Sequence, residues 1–154
     1  MAAITPDTNF IGIEVHPPGV GHCLLAIEEQ QLTNVRVMRE DAVALLQNGF
    51  NDNSLDRVNL FFPDPWHKKR HHKRRIVQAA FVELLAKKIK PAGIFHVATD
   101  WPGYAEHIAE VMENTQSFKA MADYPQDRIK TRFDARGARL GHANWECAYS
   151  NCSK

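Results

Sequence analysis

Four carboxylates and one run of cations set the chemical problem. Glu14, Asp41, Asp64 and Asp100 each stand at or just past the end of a short apolar segment, at 9–15, 34–39, 57–62 and 93–99. In open α/β sheets, ligands bind in the crevice beyond the carboxyl ends of the strands. Taken singly, each acid can be explained as a helix N-cap or a first-turn charge, above all Asp41 and Asp100. Four acids at one rim, beside a basic cluster, point further, to a ligand. The densest stretch is FFPDPWHKKRHHKRR, residues 61–75. Pro63 and Pro65 flank Asp64, and their fixed φ keeps the carboxylate on a stiff, extended loop. Trp66 adds a flat surface that can pack as a wall or stack on a base. Lys68, Lys69, Arg70, Lys73, Arg74 and Arg75 follow within a few residues. A rigid acid, an aromatic plane and dense positive charge suit a planar, phosphate-bearing substrate.

The whole chain has 19 Lys and Arg against 18 Asp and Glu, a net charge of +1. Without the six cations of residues 67–75, 13 cations face 18 anions, a net of −5. A basic segment on an acidic body is the footprint of a polyanion contact, most often nucleic acid. The plainer alternative is a solvated helix start. His67, His71 and His72 can add charge below about pH 6.5. The run would also lie at the start of a helix expected over about 72–90, where the macrodipole is already positive. Cations there are unfavourable unless an anion binds.

The elements that must position these groups alternate. Strand-like segments at 9–15, 34–39, 57–62 and 93–99 are separated by helix-like segments at 18–31, 41–47, 72–90 and 102–114. Residues 118–122 and the 139–150 region read as later strands. Alternating β and α predicts a mostly parallel sheet covered by helices on both faces. At 154 residues, 44% hydrophobic and 24% charged, the chain reads as one domain rather than a disordered, collagen-like or disulfide-stapled one. No apolar run approaches the ~18 residues of a membrane span. MAAITPDTNF has neither the basic region nor the apolar core of a secretory signal. Three cysteines, Cys23, Cys147 and Cys152, are scattered and odd in number, which fits a reducing cytoplasm. The histidines have no ligand spacing with them, so no metal site is expected. Trp101 and Trp145 are expected to pack, and Cys23 to be a buried thiol.

Asp64-Pro-Trp with its basic run resembles the bacterial tRNA (guanine-N7)-methyltransferase family. The resemblance extends over NFIGIEVH (9–16), NVRVMREDA (34–42), FHVATDW (95–101), TRFDARGARLGH (131–142) and Trp145. It implies a Rossmann-like class I methyltransferase fold of three α/β/α layers, with S-adenosylmethionine as cofactor and tRNA as partner. By the same resemblance, Glu14, Asp41 and Asp64 contact the cofactor, and Asp64 is catalytic. Lys68, Asp100, Thr131, Arg132, Phe133 and Asp134 bind substrate. Arg70, His71, His72, Lys73, Arg74 and Arg75 form the RNA-contacting segment. The family usually writes the third block T-K/R-F-E, so Asp134 is one methylene short.

Class I methyltransferases begin with a strand and a glycine-rich turn, and this chain shows neither. Gly19-Val20-Gly21 follows the second strand of the family and reads as a helix-start turn. The family sheet order is 3-2-1-4-5-7-6, so the absent strand is central. The expectation is one methyltransferase domain over 1–154, lacking its N-terminal part. Either strands 2 and 4 pair directly, or another chain, such as a second copy, covers the edge. Two functions follow. One is methylation of guanine N7 in tRNA, at the variable loop by resemblance. The other is an impaired homologue that keeps only an RNA-binding surface.

Overall fold

The computed structural model describes all residues except 125–127, 130–143 and 154. They cluster into two compact units, one built on Met1–Gly49 and the other beginning at Phe50.

The first unit holds a 3-10 turn (Ala2–Ile4), β1 (Phe10–Ile13), α1 (Pro17–Glu29), β2 (Val35–Met38) and α2 (Ala42–Asn48). β1 and β2 are parallel, with Phe10 opposite Val35 and Ile13 opposite Met38. Pro17 and Pro18 start α1, where their missing N–H groups cost nothing and their φ is already helical. The Asn34 amide, just before β2, reaches the carbonyls of Ala2, Thr5 and Thr8 at 2.9–3.2 Å and ties the leading segment down. Leu46 is the unit's one fully buried apolar side chain among the described residues, and α1 buries none.

The second unit holds β3 (Leu55–Phe61), a 3-10 helix (Lys69–Arg74), α3 (Ala79–Lys88), β4 (Ile89–Thr99), α4 (Pro102–Glu113), β5 (Phe118–Ala120) and β6 (Trp145–Asn151). Its sheet order is β3-β4-β6-β5, with β3 and β4 parallel and β6 antiparallel to both neighbours. Phe95, wholly buried on β4, has the rings of Phe81, Phe118 and Tyr149 within 6.2–6.4 Å. Leu85, Ile89, Val97 and Ile108 are equally buried around it. Each such side chain contributes about 1.5–3 kcal/mol on burial. Asn151 donates to Ala86 O (2.9 Å) and Ile89 O (2.7 Å), closing the carbonyl end of α3.

Two sequence expectations are corrected here. The helix expected over 72–90 is two helices: the 3-10 helix ends at Arg74, Arg75 and Gln78 are extended, and α3 has ten residues. Tertiary bonds override the apolar periodicity, because Val77 N–H is taken by Tyr104 Oη (3.2 Å). The cations therefore do not sit on the N-terminus of α3, and the macrodipole argument for an anion lapses. β4 also starts earlier than 93. Ile89 pairs with Leu55, the chain bulges, and pairing resumes with Ile94 opposite Arg57. Gly93 permits the bulge, since a Cβ there would lie 2.8 Å from Asp56 O.

With β1 and β2 as family strands 2 and 3, and β3, β4, β5 and β6 as strands 4, 5, 6 and 7, each sheet taken by itself follows a part of the family order 3-2-1-4-5-7-6. Among the described residues β1 bonds only β2, and β3 bonds only β4.

Candidate active site

In the first unit, two carboxylates stand at the carboxyl ends of adjacent parallel strands. Glu14 follows β1, and its N–H donates to Met38 O (3.1 Å), one step beyond the ladder. The carboxylate folds back so that Oε1 accepts from His16 N–H (2.8 Å). Gly19, in the first turn of α1, makes room for it. A Cβ there would lie 3.0 Å from Glu14 Cγ and 3.2 Å from Oε2. Gly19 is thus more than a helix-start residue, a role the sequence reading missed. Asp41 caps α2, with Oδ1 accepting from Ala44 N–H (2.9 Å), so its plain role is real. Both residues are exposed, and among the described residues the second oxygen of each accepts no hydrogen bond.

In the second unit, β3 and β4 deliver the other two acids. Phe62 N–H bonds Ala98 O (2.8 Å), then Pro63-Asp64-Pro65 leaves the sheet. Asp64 is exposed, and its Oδ1 accepts from Trp66 N–H (2.9 Å) in an Asx turn. Phe62 (φ 53°) and Trp66 (φ 47°) bracket the loop in the left-handed region. Bulky residues held there cost about 1 kcal/mol or more each, and such strain gathers at ligand sites. The Trp66 ring meets the His71 ring edge-on at 5.8 Å, and Arg74 Cζ lies 4.9 Å from its centroid. Asp100, half-buried, ends β4 just before α4. Next to it, the Trp101 ring packs 4.2 Å from the His67 ring, joining the two loops.

The basic segment divides in two. Lys68, Lys69, Arg70, Lys73 and Arg74 are exposed, and His71 and His72 are half-buried. Arg75 is only 3% exposed. Its Nε donates to Pro65 O (2.9 Å), Nη1 to Gly103 O (3.1 Å) and Nη2 to His72 Nε2 (3.1 Å). An arginine only donates, so His72 accepts through Nε2 and carries its proton on Nδ1. Arg75, expected in the RNA-contacting segment, is thus buried with three protein acceptors on its guanidinium. That guanidinium also lies 4.9 Å from the centroid of the Tyr104 ring. Burial pushes the Tyr104 hydroxyl above its usual range, Arg75 opposes the shift, and the Asp64 carboxylate adds to it.

Nothing in residue type distinguished Arg75 from Arg74. Tyr104 carried a weak signal as an aromatic in the first turn of α4. Thr131, Arg132, Phe133 and Asp134 lie outside the described residues. No group of three His, Cys, Asp or Glu side chains among the described residues is placed to hold a metal ion.

A family model described as "Putative methyltransferase" matches residues 1–147. A tRNA (guanine-N(7)-)-methyltransferase of Photobacterium profundum is 56% identical over 156 residues, which cover 97% of this chain and 64% of that protein. One of Shewanella denitrificans is 52% identical over 159 residues, covering 99% of this chain and 67% of that protein. The chain belongs to the tRNA (guanine-N7)-methyltransferase family. It spans about two thirds of the length of these relatives. An rRNA methylase from Streptococcus thermophilus aligns with a TM-score of 0.61 at 11% identity, over 94% of this chain and 74% of that one. That likeness shows the Rossmann-like methyltransferase fold. Within the family pattern, Asp64-Pro-Trp is the loop held by the Asx turn and by Arg75.

Proposed function

We propose that the chain works in S-adenosylmethionine-dependent methyl transfer to N7 of a guanine in tRNA, with residues 1–154 acting as one methyltransferase domain. The observation that carries this reading is the Asp64 loop. It presents an exposed carboxylate, held by Trp66 N–H, directly before five exposed cations. The names of the relatives at 52–56% identity support the substrate.

Glu14 and Asp41 suit the cofactor. Two exposed carboxylates on neighbouring strand ends, each with an uncommitted oxygen, can accept from ribose hydroxyls and an adenine amino group. When bound, S-adenosylmethionine supplies an electrophilic methyl group on a sulfonium. Guanine N7 has a lone pair and no proton, so the protein need not provide a base at the nucleophile. Its work is alignment and electrostatics. As the methyl transfers, positive charge appears on the base. Asp64 stabilises that charge or holds the N–H edge of the guanine. Lys68, Asp100 and the 131–134 block hold the guanine. Arg70, Lys73 and Arg74, with His71 and His72, contact phosphates and position the tRNA without reading its sequence. The variable-loop guanine is the proposed target, and it must be made accessible by local distortion. Among the described residues no helix is long and apolar enough to cross a membrane, and a cytoplasmic setting is part of the proposal.

A second reading is an impaired homologue that binds tRNA and holds S-adenosylmethionine poorly. It is favoured by the first unit, where α1 buries no residue and Ile11 of β1 is 46% exposed. A second copy covering that edge would repair it. Titration calorimetry with S-adenosylmethionine separates the readings. Micromolar binding supports the enzyme, whereas no heat at millimolar ligand supports the impaired homologue. Sedimentation at matched concentrations reports whether a second copy is needed.

A further inference from the structure

We propose that Arg75 is a positioning residue of the methyl-transfer site, bracing the Asp64 loop against the start of α4. The proposal rests on the functional reading above. It would separate Arg75 from the phosphate-contacting cations that precede it.

Three donors of one guanidinium reach three different segments. Pro65 O lies on the loop after β3, Gly103 O on the first turn of α4, and His72 Nε2 on the 3-10 helix. The seam continues past Arg75. Val77 N–H donates to Tyr104 Oη (3.2 Å), and His107 Nε2–H donates to Val77 O (2.8 Å). Tyr104 itself is wholly buried.

Among the described residues, none of the acceptors of Arg75 is a carboxylate. Burying a guanidinium is costly, and the groups that accept from it here are neutral, with a ring face beside them. A phosphate cannot reach a cation that is 3% exposed. The planar fork holds its acceptors in fixed directions, which the single point charge of a lysine cannot do. The Pro65 carbonyl and the Trp66 N–H are the two polar groups of one peptide unit, one residue on from Asp64. Holding it, together with the bond from Trp66 N–H to Asp64 Oδ1, fixes where the carboxylate stands.

The test uses the full chain with Arg75→Lys, Arg75→Gln and, for comparison, Arg74→Ala. Unfractionated tRNA is titrated across a KCl series. Arg74→Ala should lower the slope of log K against log[KCl] by about 0.7–0.9, the loss of one phosphate contact. Both Arg75 variants should leave the slope unchanged and tRNA affinity within twofold. In the nitrogen–proton spectrum, the Trp66 indole resonance should shift in both Arg75 variants while that of Trp145 stays in place. Where methyl transfer is measured, kcat should fall at least tenfold in Arg75→Lys with the tRNA KM within twofold. A slope loss of about 0.7–0.9 in Arg75→Gln overturns the proposal. So does an unmoved Trp66 indole in both variants. If the unaltered chain shows no salt-dependent tRNA binding, the functional reading fails, and the indole comparison alone decides the brace.

Discussion

The two units are built from the same strand–helix–strand pattern but bury very different amounts. In the second, Phe95, Val97, Leu85, Ile89 and Ile108 are sealed between a four-stranded sheet and two helices. In the first, Val15, Leu24 and Leu25 are each more than half exposed, and Met38 is 39% exposed. The difference is one of neighbours. A parallel strand needs cover on both faces. Two strands and α1 cannot supply that, whereas four strands with α3 and α4 can. Asp64 and Asp100 therefore stand on a packed scaffold. Glu14 and Asp41 stand on one that a bound ligand would stabilise by mass action.

Five variants test this contrast, from the largest effect to the smallest. Phe95→Ala should cost about 3–5 kcal/mol in urea unfolding. Leu25→Ala, 58% exposed in the first unit, should stay within about 0.5 kcal/mol. Equal losses would break the contrast. Asp64→Asn, exposed on the second unit, should leave stability alone and lower kcat by about 10²-fold. A matching fall in stability would make Asp64 structural. Replacing Lys73 and Arg74 together by Ala should weaken tRNA binding and lower its salt slope by about 1.4–1.8. An unchanged slope would remove the exposed cations from the interface. Gly19→Ala forces a Cβ against the Glu14 carboxylate, and should weaken S-adenosylmethionine roughly tenfold, about 1.4 kcal/mol. Calorimetry on that variant sharpens the role of the first unit.

The smallest effect is at acid pH. The bond and charge of Lys88 hold the Asp52 carboxyl below its ordinary value of 3.8. A depressed carboxyl contributes stability that is present above the unfolded pKa and lost as pH falls through the folded one. Asp52→Asn should therefore lower Tm slightly near neutrality and flatten the fall of Tm just below pH 3.8, so that the two chains converge at the acid end. An acid limb identical to that of the unaltered chain would remove this pair from acid unfolding.

The strand ends were legible because apolar runs, prolines and acids are local signals. Those signals placed Glu14, Asp41, Asp64 and Asp100 beyond β1, β2, β3 and β4. The break between Arg74 and Ala79 was not legible. Its cause is nonlocal, in bonds from Arg75 and Val77 to residues about 27 positions away on α4. The burial of Arg75 beside an exposed Arg74 was not legible for the same reason, since exposure is a property of the fold and not of a basic run. The bulge at Gly93 was not legible from the strand-like segment at 93–99. Its function, letting β4 pair with Leu55 before the bulge, depends on the Asp56 carbonyl opposite. Strand order came only with the family resemblance, because periodicity carries no information about which strands are neighbours.

Methyl transfer itself tests the central claim most directly. The full chain is incubated with tRNA and methyl-labelled S-adenosylmethionine, and the labelled nucleoside is identified after digestion. The account predicts label on guanine N7 in the tRNA, reduced about 10²-fold by Asp64→Asn. Label on another atom, or equal label from the Asp64→Asn chain, would contradict it.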